Sequence, residues 1–282
     1  MLTARLGSEY IKASKSLKKK DFVFRCRDPH CLSPEMLVVA GERGHRIPHF
    51  RHKSNCGCRF AHGETEWHRE WKSHFERVEV DMGIDPITEE RNFAVAVTRD
   101  AEGRDIVIEF QHSPIALKEQ EDRERFYKSK GGLIWVHDAN KSNSIKLLAR
   151  ALQSRSFEAN PIPEFPKIPE FPKNQWFAIA HPEIAFPKDW VNRPVGVIFD
   201  YGPNGLIFLM KGRYKGKAIC SNFLQRDAVI NLLTTNASLF IHGVEEHLKI
   251  IIDKKAEQKR KMQSQKATFI PPRSVHRRRW RL

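Results

Sequence analysis

The sequence predicts a mixed α/β (α+β) fold: a sheet flanked by helices, preceded by a small metal-binding module. Three observations predict it. Short strand patterns alternate with helix patterns between residues 64 and 153. Four of the five cysteines fall between 26 and 58. A proline-rich stretch, 158–175, then separates this core from a second set of strand and helix patterns, an accessory C-terminal α+β region.

Composition limits the class of protein. The 282 residues are 40% apolar and 29% charged, as in globular proteins. No apolar run approaches the roughly 20 residues of a membrane helix, and the N-terminus lacks the apolar core of a signal peptide. We therefore expect a cytoplasmic protein with no membrane partner, and clustered cysteines in a reducing compartment indicate metal binding.

The net charge of +15 is concentrated at the C-terminus. From Lys254 to Leu282 there are eleven Lys or Arg residues and one acid, Glu257, which gives +10. A tail with this charge is suited to binding a polyanion such as nucleic acid, and the indole of Trp280 could stack on a base. The predicted nucleic-acid-binding residues are Arg277, Arg278, Arg279, Trp280 and Arg281. The alternative is a solvated tail that keeps the protein soluble.

A zinc module is predicted in the first 60 residues. Zinc takes four thiolate or imidazole ligands, which usually arrive in close pairs. Cys26, Cys31, His49 and His52 supply two such pairs, and Cys56 or Cys58 could replace a histidine. We expect structural Zn²⁺ there; the alternative is that these side chains hold no metal. His62-Gly63-Glu64 matches part of a zinc deaminase motif, but the required P-C-x-x-C is missing downstream.

The first element of the core is predicted as a helix over 64–80. Glu64, His68 and Lys72 follow i, i+4, i+8 spacing and would share one face. Trp67, Trp71 and Phe75 would form an adjacent apolar face that packs on a sheet. The polar stripe points either into a site or simply into water.

A hairpin follows, with strands at 92–97 and from Arg104 to Gln111, joined by a polar turn. In the second strand Asp105, Glu109 and Gln111 alternate with apolar residues and would project together. Pro114 ends the strand because it cannot donate to the ladder. A half-exposed edge strand would show the same alternation.

The remaining elements follow in order. A charged helix over 117–130 ends at Gly131-Gly132, an apolar strand occupies 133–138, and another helix follows. IPEFPK then occurs twice in tandem, in a linker or a surface loop. The expected divisions are a basic N-terminus with the zinc module (1–60), the core (61–157), the linker (158–175), the accessory region (176–253) and the basic tail (254–282).

Five segments in this order, PHFRH, GETEWHREWK, VIEFQHSPI, DRERFY and LIWVHD, resemble the CoiA-type competence protein family, which is placed in the PD-(D/E)XK nuclease superfamily. The resemblance covers roughly residues 22–140 and continues weakly to about 235. It implies a mixed sheet flanked by helices, preceded by a zinc-ribbon-like element.

The resemblance also implies an active site. Glu64 corresponds to the acid of the first helix, with Glu66 as the alternative, and Glu109 and Gln111 to the third-strand Glu-x-Gln. His68 and Lys72 share the face of Glu64. Carboxylates of this kind hold Mg²⁺ or Mn²⁺, with Glu109 as the expected ligand, and the ion activates a water for phosphodiester hydrolysis.

One residue departs from the family pattern. The second strand should carry an aspartate, but this chain reads NFAVAVT. Hairpin register favours Ala96 as the vacant position, with Val95 second. The chain is either a natural degenerate nuclease or an altered one in which aspartate was replaced; the intact neighbouring motifs favour the latter.

The sequence therefore predicts a metal-dependent DNA endonuclease or exonuclease, acting in competence, recombination or phage defence alongside other DNA-processing or defence proteins. The chain as written is expected to be inactive. The alternative is a non-catalytic nucleic-acid-binding or scaffold subunit.

Overall fold

A computed structural model describes residues 1–19, 21–39, 47–54, 56, 58, 64–100, 102–153, 157–158 and 176–246, with seven further positions between 248 and 261. These ranges contain two β-sheets together with α-helices, which confirms the predicted α+β fold class. Within these ranges no helix combines the length and apolar character needed to cross a membrane.

The N-terminal sheet has five antiparallel strands in the order β2-β1-β3-β4-β5. Their bounds are Thr3–Leu6 (β1), Glu9–Lys12 (β2), Phe24–Arg25 (β3), Glu35–Val39 (β4) and His49–His52 (β5). A small core of its own, including Phe24, Met36 and Phe50, supports this sheet together with Cys26 and Cys31.

The main sheet has nine strands in the order β10-β11-β14-β13-β12-β9-β8-β7-β6. Their bounds are Arg77–Ile84 (β6), Arg91–Arg99 (β7), Asp105–Gln111 (β8), Leu133–Asp138 (β9), Phe157–Glu158 (β10), Trp176–Ile179 (β11), Gly196–Asp200 (β12), Leu206–Tyr214 (β13) and Lys217–Ser221 (β14). The three central strands β8, β9 and β12 are parallel, and the outer pairs are antiparallel.

Helices cover both faces of the main sheet. They are Glu66–Ser73 (α1), Leu117–Lys130 (α2), Ser142–Gln153 (α3), Arg226–Thr235 (α4) and Ser238–Ile241 (α5). Trp71 and Phe75 of the α1 region pack on one face with α4 and α5. Phe126 and Tyr127 of α2 pack on the other face. Because the central strands are covered on both sides, β9 is an almost continuous apolar run.

The predicted helix over 64–80 is corrected to a short helix followed by a strand. Helix α1 ends at Ser73, and β6 begins at Arg77. Val78 and Val80 pair with Ala96 and Ala94 of β7. The alternating β-branched residues fit a pleated ladder better than a continued helix.

The region after 176 does not form a separate sheet. Strands β11 to β14 continue the sheet of the core, and β12 pairs directly with β9, as in Val197↔Trp135. The division of the chain into core and accessory region therefore stays a prediction. Most of the proposed linker, 159–175, and the arginine-rich end of the tail lie outside the described residues.

Candidate active site and metal centre

The active-site candidate lies where β7 and β8 separate. The ladder between these strands begins at Arg99↔Asp105 and ends at Ala96↔Ile108. Beyond that point the carboxylate of Glu109 fills the gap, and its Oε1 accepts a hydrogen bond from the backbone N–H of Val95 at 3.2 Å. Glu109 thus stands at the opening between two strands, where a sheet can admit a ligand.

A pocket of about 920 Å³ opens at this gap. Its lining includes the carboxylates of Glu64, Glu79, Asp85, Glu90, Glu109, Glu119 and Asp122 and the cations Lys72, Lys118 and Arg123. Seven acids against three bases make the pocket acidic, in contrast to the basic chain as a whole. An acidic pocket of this kind suits a divalent cation better than a bare phosphate.

Lys72 organises one wall of the pocket. Its ammonium donates to Oε1 of Glu79 at 2.9 Å and also to Glu64. Burial by itself would lower the pKa of Lys72, but the two carboxylates raise it above its usual value. Burial would likewise raise the pKa of Glu64, yet Lys72 and the N-terminal ammonium of Met1, 2.9 Å from Oε2, hold it at about 2. Lys72 also lowers the pKa of Glu79 against the effect of burial, so all three groups are charged at neutral pH.

Glu109 occupies the opposite wall and has a different electrostatic environment. Its side chain is fully buried, and this burial raises its pKa although Arg123 acts in the other direction. Arg123 donates to Glu109 Oε2 at 2.9 Å and to the exposed Glu119 at 2.6 Å. A metal ion entering the pocket would compete with Arg123 for this carboxylate.

The first candidate for the vacant aspartate position, Ala96, lies away from the pocket. Ala96 is opposite Ile108, fully buried in the core on the side of α1. Continuing the register by one residue places Val95 opposite Glu109, and Val95 lines the pocket. Ala96 does not line the pocket whereas Val95 does, so the pocket lining, and not strand alternation, places the second candidate beside Glu109.

The other expected site residues are distributed unequally. Glu64 lines the pocket but precedes α1, whose N-cap is Thr65, whereas the alternative Glu66 is exposed. His68 is turned to the backbone, with Nε2 at 3.0 Å from the carbonyl of Phe110.

Gln111 does not line the pocket; its amide donates to the carbonyl of Ser113. The structure therefore brings Glu64, Lys72 and Glu109 together and leaves His68 and Gln111 outside this group. Their assigned roles stay predictions.

Sequence reasoning missed Glu79 and Arg123. Glu79 lies in a segment, R-V-E-V, that falls within the predicted helix over 64–80. Its period-two pattern is the signal that indicates a strand instead. The backbone of Glu79 has a φ of 53°, which is uncommon for a residue other than glycine. Arg123 lies within DRERFY, in the middle of α2, and only packing shows that it reaches Glu109.

The metal-centre candidate is formed by Cys26, Cys31, His52 and Cys58. Their ligand atoms lie within 4.8 Å of one another. Three thiols and one imidazole are a donor set that zinc uses in structural sites, so the cluster could hold a metal such as zinc. Burial raises the pKa of the Cys26 thiol to about 11, which a bound cation would offset.

His49, expected as the fourth ligand, is replaced by Cys58. His49 and His52 lie three residues apart on β5, so their side chains point to opposite faces. His52 shares its face with the buried Phe50, whereas Nδ1 of His49 is 3.0 Å from the carbonyl of Ile47. Cys56 lies next to the cluster, with its sulfur 3.3 Å from that of Cys58.

The carboxylates of the pocket are not arranged in the same way. Among the residues that the structure describes, three or more His, Cys, Asp or Glu side chains bring their ligand atoms together only in the Cys/His cluster. Glu64, Glu79 and Glu109 instead meet protein cations. Among these described residues, the pocket holds metal-binding residue types but no preassembled cage for Mg²⁺ or Mn²⁺.

The elements α1-β6-β7-β8-α2-β9 form a mixed α/β unit with an acidic pocket at the strand opening. Residues 66–186 match the family described as competence protein CoiA, nuclease-like domain. This match supports a CoiA-like assignment for the segment and confirms the resemblance. No curated protein and no solved structure matches the chain.

Proposed function

We propose that the chain is a metal-dependent DNA nuclease of the PD-(D/E)XK type whose pocket lacks one carboxylate, at Val95. The single observation that carries this proposal is the buried Glu109 in the gap between β7 and β8, with Val95 beside it. An aspartate at Val95 would place a second carboxylate next to Glu109. Two such oxygen ligands can share one Mg²⁺ or Mn²⁺ and leave positions for water and phosphate.

The remaining parts of the pocket support hydrolysis of a phosphodiester. The bound ion would lower the pKa of its water and neutralise charge on the phosphate. Lys72, held in its charged form by Glu64 and Glu79, supplies a buried positive charge on the opposite wall. Such a preoriented charge stabilises the developing negative charge of the transition state.

The test is cleavage of labelled single-stranded, double-stranded and branched DNA with Mg²⁺ or Mn²⁺. Four proteins are compared: the chain as written, Val95→Asp, Val95→Asp with Glu109→Ala, and Ala96→Asp. We expect metal-dependent cleavage from Val95→Asp alone. Cleavage by the double variant would show that Glu109 is not a ligand and would remove the basis of the proposal.

A second function, binding of nucleic acid without cleavage, is favoured by the charge pairing within the pocket. Each of Glu64, Glu79 and Glu109 already forms an ion pair with Lys72 or Arg123. In this function the protein acts as a DNA-binding or scaffold subunit, with the basic tail on the phosphate backbone. If all four proteins bind DNA with equal affinity and none cuts, this second function replaces the first.

The tail can be tested separately. Removal of residues 254–282 takes away eleven Lys or Arg residues. For every phosphate that the shortened protein no longer neutralises, the plot of log affinity against log salt should become less steep by roughly 0.7 to 0.9. An unchanged slope would show that the tail does not bind DNA. The class of DNA process, competence, recombination or phage defence, is part of the same proposal and rests on the family match.

A further inference from the structure

The Cys/His module and the carboxylate pocket meet at one buried side chain, Glu79. Its Oε1 accepts from the backbone N–H of Leu2 at 2.9 Å and from Lys72 at 2.9 Å. Its Oε2 accepts from the backbone N–H of Thr3 at 3.1 Å and from the Thr3 hydroxyl. One carboxylate therefore joins β1 of the module to Lys72 of the pocket.

Arg27 connects the Cys/His cluster to Thr3 and Glu79. It follows the cluster residue Cys26 directly and is 5% exposed. Its Nη1 donates to the Thr3 hydroxyl at 3.0 Å and lies 3.6 Å from Glu79 Oε2. The guanidinium also lies 4.3 Å from the ring centre of Tyr10 in β2, where it makes a cation–π contact.

These contacts form a continuous path from the metal cluster to the proposed active site. Cys26 fixes the backbone that carries Arg27, Arg27 and Thr3 hold Glu79, and Glu79 holds Lys72. Every charged group on this path is buried, so removal of one partner leaves an unpaired charge that solvent cannot screen. Glu79 also has a φ of 53°, a conformation that is costly for a residue other than glycine and that persists only when surrounding contacts hold it.

We propose that Glu79 is a positioning residue through which metal bound by the Cys/His cluster sets the position of Lys72 in the pocket. The role given to the pocket rests on the proposed function, but the coupling does not require catalysis. Coupling between two sites is reciprocal. Metal at the cluster should therefore protect Lys72, and loss of Glu79 should weaken metal binding.

The first experiment measures the reactivity of Lys72 toward an acylating reagent, by mass spectrometry of the full chain loaded with zinc and after chelation. Zinc removal should raise the reactivity of Lys72 at least about 10-fold, because its two carboxylate partners lose their support. The exposed Lys130 of α2 is the internal control and should not change. Protection of Lys72 in the chelated protein would overturn the proposal.

The second experiment measures zinc affinity by competition with a chromophoric chelator. Glu79→Gln should weaken zinc binding about 5-fold or more and should leave Lys72 reactive with or without zinc. Glu124→Gln is the matched control, since Glu124 is equally buried and pairs with Arg193, away from the module. Equal zinc affinity in the two variants would overturn the coupling. That result would leave the proposed function untouched, because the proposed function is tested separately by DNA cleavage with Val95→Asp.

Discussion

Glu109 accepts a hydrogen bond from the backbone N–H of Val95 at the point where β7 and β8 part. This contact replaces a ladder hydrogen bond by a side-chain one. The carboxylate of Glu109 therefore lies beside Val95, just beyond the last paired residues of the two strands. The identity of residue 95 decides whether the gap contains one carboxylate or two.

Val95→Asp should create a Mn²⁺ site, whereas Ala96→Asp should not. Two adjacent carboxylates repel each other without a cation and attract one when it is present. Isothermal titration calorimetry with Mn²⁺ should show one binding site in Val95→Asp. The site should be absent from the double variant that also carries Glu109→Ala. In Ala96→Asp the new charge lies in the core, and we expect a loss of about 3 kcal/mol or more in the free energy of unfolding.

Lys72→Met should destabilise the protein far more than the same change at an exposed ion pair. Lys72 is buried between Glu64 and Glu79, so its loss removes the cation shared by two carboxylates of a buried network, at a cost of about 3–5 kcal/mol. Lys53→Met breaks the exposed pair with Glu35 and should cost about 0–1 kcal/mol. Urea unfolding gives both values, and equal costs would contradict the buried network.

Glu64 should make stability depend on acidity. Lys72 and the N-terminal ammonium of Met1 hold the pKa of Glu64 at about 2, below its usual value of 4.5. A depressed carboxyl pKa gives stability that is present above pH 4.5 and is lost as pH falls toward 2. The difference in unfolding free energy between the protein and Glu64→Gln should therefore shrink over this interval. Glu66→Gln, at an exposed neighbour, should show no such change.

Glu109 should show the opposite dependence. Burial raises its pKa, so its carboxyl form favours the folded state and ionisation removes that stability as pH rises through the raised pKa. Glu109→Gln should lose less stability than the original chain when pH increases from about 4 to about 8. Glu119→Gln, which affects the same Arg123 from an exposed position, is the control. A parallel pH profile for Glu109→Gln and the original chain would show that Glu109 is not strained by burial.

The ligand set of the metal centre can be tested by zinc content. His52→Ala and Cys58→Ser should each lower zinc affinity strongly, because each removes one of four convergent ligands. His49→Ala should leave zinc in place, and Cys220→Ser, at a buried cysteine in the main sheet, should do the same. Zinc loss from His49→Ala alone would restore the ligand set expected from spacing.

The sequence by itself determined the alternation of elements in the core and the residue types of both sites. Period-two patterns identified the strands at β7 and β8, an apolar run identified β9, and Gly131 marked the end of α2. These features depend on local preferences, which a linear pattern records directly. The order of motifs was sufficient for the family, and the match over 66–186 confirmed it.

Only the tertiary structure decided which of these residues meet. The pocket lining distinguishes Val95 from Ala96, and the face of β5 selects His52 over His49. Glu79 and Arg27 acquire a role because β1, α1 and β6 approach one another from distant parts of the chain. A shift of one residue reverses the face of a strand at no cost in local propensity, so packing alone resolves such choices.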